Sequence, residues 1–170
     1  MSGIEKKIIV FIVIMSATTL LFSSCGRVKH ADIDKSFRSA VSGFGGKVVI
    51  YEPFSNSEPS REIITLFGRD GKAPDEFSLI EYMEVWYSER PSGGDAAVFY
   101  AVNATDTASV VKMCERRART LKYSAGIKSE IFVSGHFVVF VNCSGEYEGI
   151  KDELVREFAK RRNATPPPQV

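Results

Sequence analysis

Two pairs of β-forming segments with an amphipathic helix between them set the strongest limit on how this chain folds. Residues 79–89 carry Tyr82, Val85, Trp86 and Tyr87, side chains that suit a pleated surface. Arg90-Pro-Ser-Gly-Gly-Asp95 then reads as a hairpin connection. Residues 96–102 are continuously apolar, the pattern of a strand covered on both faces. The second pair, residues 127–133 and 136–143, is joined by Ser134-Gly135, where glycine supplies the positive φ a tight turn needs. Its Phe137-Val-Val-Phe-Val141 run is the most apolar outside the N-terminal region and predicts a central strand. Between the pairs, Asp106 is placed to cap a helix over residues 107–123, with Val110, Cys114, Ala118 and Leu121 on the buried stripe.

Three further helices complete the pattern. Residues 31–43 repeat Ile33, Phe37 and Val41 on one face and end at Gly43, Gly45 and Gly46. Residues 59–67 put Ile63, Ile64 and Phe67 inward, with Pro59 in the first turn. Residues 146–162 align Ile150, Leu154 and Phe158. A short strand at 47–51 is followed at once by Pro53. The expected fold is α+β: a two-layer domain over residues 31–162, with a mostly antiparallel sheet of four or five strands and helices mainly on one face. On the strand at 79–89, Tyr82 and Trp86 share one face while Met83, Val85 and Tyr87 share the other. If the second set forms the core, Tyr82 and Trp86 make an exposed aromatic platform for a sugar, a Pro-rich peptide or a protein partner.

The N-terminal region has a different logic. Ile8 to Phe22 is a run of 15 residues without a charge, behind Lys6 and Lys7. As a helix it would span only about 22 Å, against about 30 Å of bilayer core, so it reads as a secretory signal. The run ends in Ser23-Ser24-Cys25-Gly26. This resembles the bacterial lipobox, with Phe22 at the position that usually holds leucine. The resemblance implies cleavage between Ser24 and Cys25, a diacylglyceryl group on the Cys25 sulfur, and a new amino group open to acylation. Residues 25–30 then form a lipid-proximal tether. The membrane is the expected partner, because one acyl chain binds marginally and two or three hold firmly. The tail at 163–170, with three consecutive prolines, is expected to be disordered or polyproline-like.

The segments Glu84-Val-Trp-Tyr-Ser, Asp95-Ala-Ala-Val-Phe and Gly135-His-Phe-Val-Val-Phe140 resemble a small Firmicutes lipoprotein family, catalogued as domain of unknown function 4358. The likeness covers residues 75–145 and rests on an "E-x-A-V-F"-like strand, a basic-acidic helix and a "G-x-Y-V-x-F"-like last strand. It implies an extracytoplasmic domain in a Gram-positive anaerobe and brings no catalytic residues with it.

Charge and motif counts narrow the chemistry. The chain has 22 basic and 21 acidic side chains. Removing residues 1–24 takes Glu5, Lys6 and Lys7, leaving 20 of each, so no basic surplus exists for nucleic acid. The two histidines, His30 and His136, have no zinc-ligand spacing around them, and no metal or cofactor is expected. Ser134-Gly-His136 is too local for a catalytic pair, and no G-x-S-x-G elbow occurs. Neither Gly43-Phe-Gly-Gly46 nor Gly93-Gly94 is a phosphate loop. The carboxylates of Asp75/Glu76, Glu81/Glu84 and Glu146/Glu148 read as solvated strand and cap charges. The basic helix face of Lys112, Arg116 and Arg119 reads as solvated, with anionic lipid as its best functional use. Cys114 and Cys143 have the option of a disulfide outside the cytoplasm, against two small buried thiols. The leading expectation is a lipid-anchored binding or accessory module, ahead of an envelope-acting enzyme or a structural subunit of a surface complex.

Overall fold

The structure, a computed structural model, describes residues 28–55, 57–90, 93–120 and 126–160. The signal, Ser24, Cys25 and the 163–170 tail lie outside the described residues. Among the described residues four α-helices and five strands follow in the order α1 (His30–Val41), β1 (Lys47–Tyr51), α2 (Arg61–Phe67), β2 (Ile80–Tyr87), β3 (Gly94–Ala101), α3 (Thr107–Thr120), β4 (Lys128–Ser134), β5 (Phe137–Cys143) and α4 (Gly149–Lys160). The strands form one antiparallel sheet in the order β1-β2-β3-β5-β4, an α+β fold.

Local chemistry explains most element ends. Ser60 caps α2 by accepting from the Ile63 N–H at 3.4 Å, which leaves Pro59 outside the helix. Asp106 is not the cap of α3. It ends the short 3₁₀ turn Ala104–Asp106 that leads into α3; Asn103 caps that turn, and the Asp106 carboxylate accepts from the Asn103 N–H at 3.1 Å to close a capping box. His30 belongs to α1 rather than to the tether. Gly135 turns the β4–β5 hairpin at φ +59, as its position in the sequence requires.

The helices are not mainly on one face, which corrects the two-layer expectation. Register settles the point. Tyr82 pairs with Tyr100 and Tyr100 with Phe137, Glu84 with Val98 and Val98 with Val139, and Trp86 with Ala96 and Ala96 with Val141, so these side chains share a face. The ring of Phe137 lies 5.4 Å from that of Phe158, which places α4 over this face. Arg38 of α1 reaches Glu84 on this face at 3.5 Å, which places α1 there as well. The opposite face carries Met83, Val85, Ala97, Phe99, Val138 and Phe140. Phe67 of α2 stands edge-on to Phe99 at 5.2 Å and to Phe140 at 5.8 Å, and Val110, Met113 and Cys114 of α3 join this cluster. Two helices therefore cover each side, and β5 is buried along its whole length. A central strand apolar at both parities can be satisfied only by cover on both sides.

Candidate functional site

Burial removes the aromatic platform. Tyr82 is 2% exposed and Trp86 1% exposed. The physical reason is α1 and the turn after it. The Trp86 indole N–H donates to the Gly45 carbonyl, and its ring lies 5.4 Å from Tyr147. Gly46, at φ +87, has no room for a side chain, because a Cβ there would fall 2.7 Å from the indole nitrogen. The glycines at the end of α1 thus serve as the seat of Trp86.

The disulfide is absent for an equally simple reason. Cys114 and Cys143 are both free and buried. Cys114 belongs to the cluster with Phe99 and Phe140, whereas Cys143 has the parity of Phe137 and Val141 and so points to the other side of the sheet. Burial, then the nearby charge of Asp95, pushes both thiols up, that of Cys143 to about 12, so neither is a nucleophile at neutral pH.

Covering that face creates a feature which sequence reasoning misses. Glu84 lies between Tyr82 and Trp86 in parity, and it is 0% exposed. The Tyr82 hydroxyl donates to Glu84 Oε2 at 3.0 Å. Arg38 Nε stands 3.5 Å from Glu84 Oε1 and 2.6 Å from Asp34 Oδ1. The guanidinium is committed to Asp34, and Oε1 has no hydrogen-bond partner. Burial first, then the charge of Asp34, raises the Glu84 carboxyl to about 8. Burial and the adjacent Glu84 raise the Tyr82 phenol well above its ordinary value. At the mouth of this cluster His30 Nδ1 is 3.1 Å from Glu52 Oε1 and Nε2 is 3.3 Å from Glu81 Oε1, with its ring 4.8 Å from Tyr82.

The chemistry follows from the atom count. A charged Glu84 would leave Oε1 buried without a hydrogen bond and beside the charge of Asp34. A protonated Glu84 can offer that hydrogen to Asp34. The arrangement holds a proton at neutral pH. It does not present the acid to a substrate, since Glu84 is buried beneath α1, while Glu81, at a register shift in β2, meets His30 at 3.3 Å. A weak alternation hid the site: one acid between two aromatics gives the same pattern whether water or a helix lies above it.

The remaining candidates disperse. His136 Nδ1 is 3.0 Å from the Ala101 carbonyl oxygen and its ring stacks on Tyr100 at 5.3 Å. Arg116 is paired with Glu76 at 2.9 Å. Arg117 Nη2 donates to the buried Asp95 Oδ1 at 2.8 Å, and Asn142 Nδ2 donates to the same oxygen at 3.2 Å. Among the described residues no three His, Cys, Asp or Glu side chains gather as a metal site, and no helix is long and apolar enough to cross a membrane. No family model, curated protein or solved structure matches the chain.

Proposed function

We propose that the chain is an extracytoplasmic lipoprotein, held on the outer face of a Gram-positive cell membrane through acylated Cys25, whose α+β domain is a binding or accessory module for an envelope protein or ligand. Membership of the lipoprotein family with domain of unknown function 4358 belongs to the same reading. One observation carries it: a 15-residue uncharged run that is too short to span and ends directly in Ser-Ser-Cys25-Gly. The fold is compatible with such processing, because among the described residues every buried core residue falls between Ile33 and Phe158. The sealed position of Glu84 favours binding over chemistry. The mechanism is display: an anchored domain meets other surface molecules at raised effective concentration.

Intact-mass measurement of detergent-extracted protein tests this. The expected species begins at Cys25 and carries a diacylglyceryl group, and Cys25→Ala retains residues 1–24 and gains no lipid. A bare thiol at Cys25, or an uncut wild-type chain, overturns the reading.

A further inference from the structure

Four large apolar side chains are exposed among the described residues: Ile50, Phe54, Val102 and Val133. Three of them gather at one end of the sheet. Phe54, 63% exposed, sits in the turn directly after β1. Val102, 37% exposed, follows the last residue of β3, and its N–H donates to the Leu79 carbonyl at 2.9 Å where β2 begins. Val133, 45% exposed, is the penultimate residue of β4, beside the turn into β5. That turn is fastened to the same end, because the Ala101 N–H donates to the His136 carbonyl at 2.9 Å. Isolated exposed apolar residues need no explanation, but three at the tips of three strands do.

The chain itself says what lies beneath them. α1 begins at this end, where His30 is clasped between Glu52 and Glu81. Cys25 stands five residues before His30 in sequence. Fully extended, five residues reach about 17 Å. The eight residues of β2 run about 27 Å to the other end of the sheet. A tether of that reach does not let the domain stand on its far end, with Lys47, Glu89 and Asp95, and leaves the Phe54 end free to meet the lipid.

We propose that this end of the sheet rests on the lipid surface, with Phe54, Val102 and Val133 dipping into the boundary between headgroups and acyl chains. The proposal rests on lipid attachment at Cys25. The contact is apolar rather than electrostatic. Glu52, Asp106 and Glu130, the charged residues nearest Phe54, Val102 and Val133 in sequence, are all acidic and give no basic surplus. Of the basic side chains of α3, Arg116 is paired with Glu76 and Arg117 with Asp95 at the far end. The docked domain thus presents its opposite end, where β2 turns into β3, to partners in the medium.

Trp86 is the sole tryptophan and is buried, so it gives a constant background. The experiment uses the full lipoprotein in phosphatidylcholine vesicles with brominated acyl chains, and reads the quenching of Phe54→Trp, Val102→Trp, Val133→Trp and, as the far-end control, Glu89→Trp. The three rim variants are expected to be quenched roughly twofold more strongly than the control, as suits rings lying about 5–10 Å into the interface. Adding phosphatidylglycerol or salt is expected to leave the ratio unchanged. Rim tryptophans quenched no more than Glu89→Trp, in a protein whose mass shows an acylated Cys25, overturn the docking alone. A chain with a bare Cys25 that stays off the vesicles overturns both the docking and the anchoring.

Discussion

Asp95 and Glu84 are both buried acids, on adjacent strands and on opposite faces of one sheet, and the protein treats them in opposite ways. Asp95 faces α3 and is fully served. Arg117 reaches both of its oxygens, Asn142 donates to one of them, and the Ser129 hydroxyl donates to Asn142 Oδ1 at 2.6 Å, extending the chain of bonds from α3 across β3 and β5 to β4. Glu84 faces α1 and shares its space with another acid, a guanidinium that lies nearer to that acid than to Glu84, and one phenol. A buried charge with a dedicated cation locks elements together. A buried carboxyl without one survives by keeping its proton.

The largest expected effect breaks the first half of this contrast. Arg117→Met keeps the aliphatic stem and removes the charge, leaving Asp95 buried and unpaired. A loss of about 3–5 kcal/mol is expected, read from the urea midpoint at constant slope. Adding Asp95→Asn removes the stranded charge, so the double variant is expected to be more stable than Arg117→Met alone. If the double variant is no better, the Asp95–Arg117 pair is incidental to the packing of α3.

Glu84→Gln sharpens the second half. A carboxyl raised from its ordinary range to about 8 is protonated in the folded chain, and already ionised in the unfolded chain, between those two values. The folded state then binds more protons, so stability is full below the ordinary carboxylate range and is lost as pH rises toward 8. At about 1.4 kcal/mol per unit, the loss reaches a few kcal/mol by pH 9. Glutamine copies the protonated form: its oxygen accepts from Tyr82 and its nitrogen donates to Asp34. The variant is expected to match the parent near pH 5 and to melt at a higher temperature at pH 9. Parallel melting curves across that range would mean that Glu84 does not hold its proton.

The asymmetry between the two acids also marks where the sequence speaks and where it falls silent. Helix stripes such as Ile33, Phe37 and Val41, or Ile150, Leu154 and Phe158, are set by a 3.6-residue repeat, and the structure buries all six residues. The hairpins follow from glycine turns and apolar runs. Which side of β2 meets a helix is a different kind of fact. Residues 137–141 are apolar at both parities and declare two-sided cover, but β2 interrupts its apolar residues with Glu81 and Glu84, and an acid reads as water-facing until α1 is known to lie above it. The exposed Tyr82/Trp86 platform and the solvated Glu84 are one misreading, corrected by one helix. The thiols are the same lesson in parity, since a helix residue and a strand residue give no hint of which side of the sheet each one takes.

The smallest expected effect asks why Glu84 keeps its proton. Burial is the leading cause and the Asp34 charge the next. Asp34→Asn removes the second and leaves the first. It also breaks a half-exposed Asp34–Arg38 pair, which contributes about 0–1 kcal/mol, and frees Arg38 to turn toward Glu84. The net change at neutral pH is expected to stay within about 1 kcal/mol. The pH at which stability falls is expected to move down, toward the ordinary carboxylate range, without reaching it. Stability profiles of the parent, Asp34→Asn and Glu84→Gln over pH 5–9 separate the causes. If Asp34→Asn already flattens the profile as far as Glu84→Gln does, repulsion between the two carboxylates governs the site, and the closed cover of α1 is secondary.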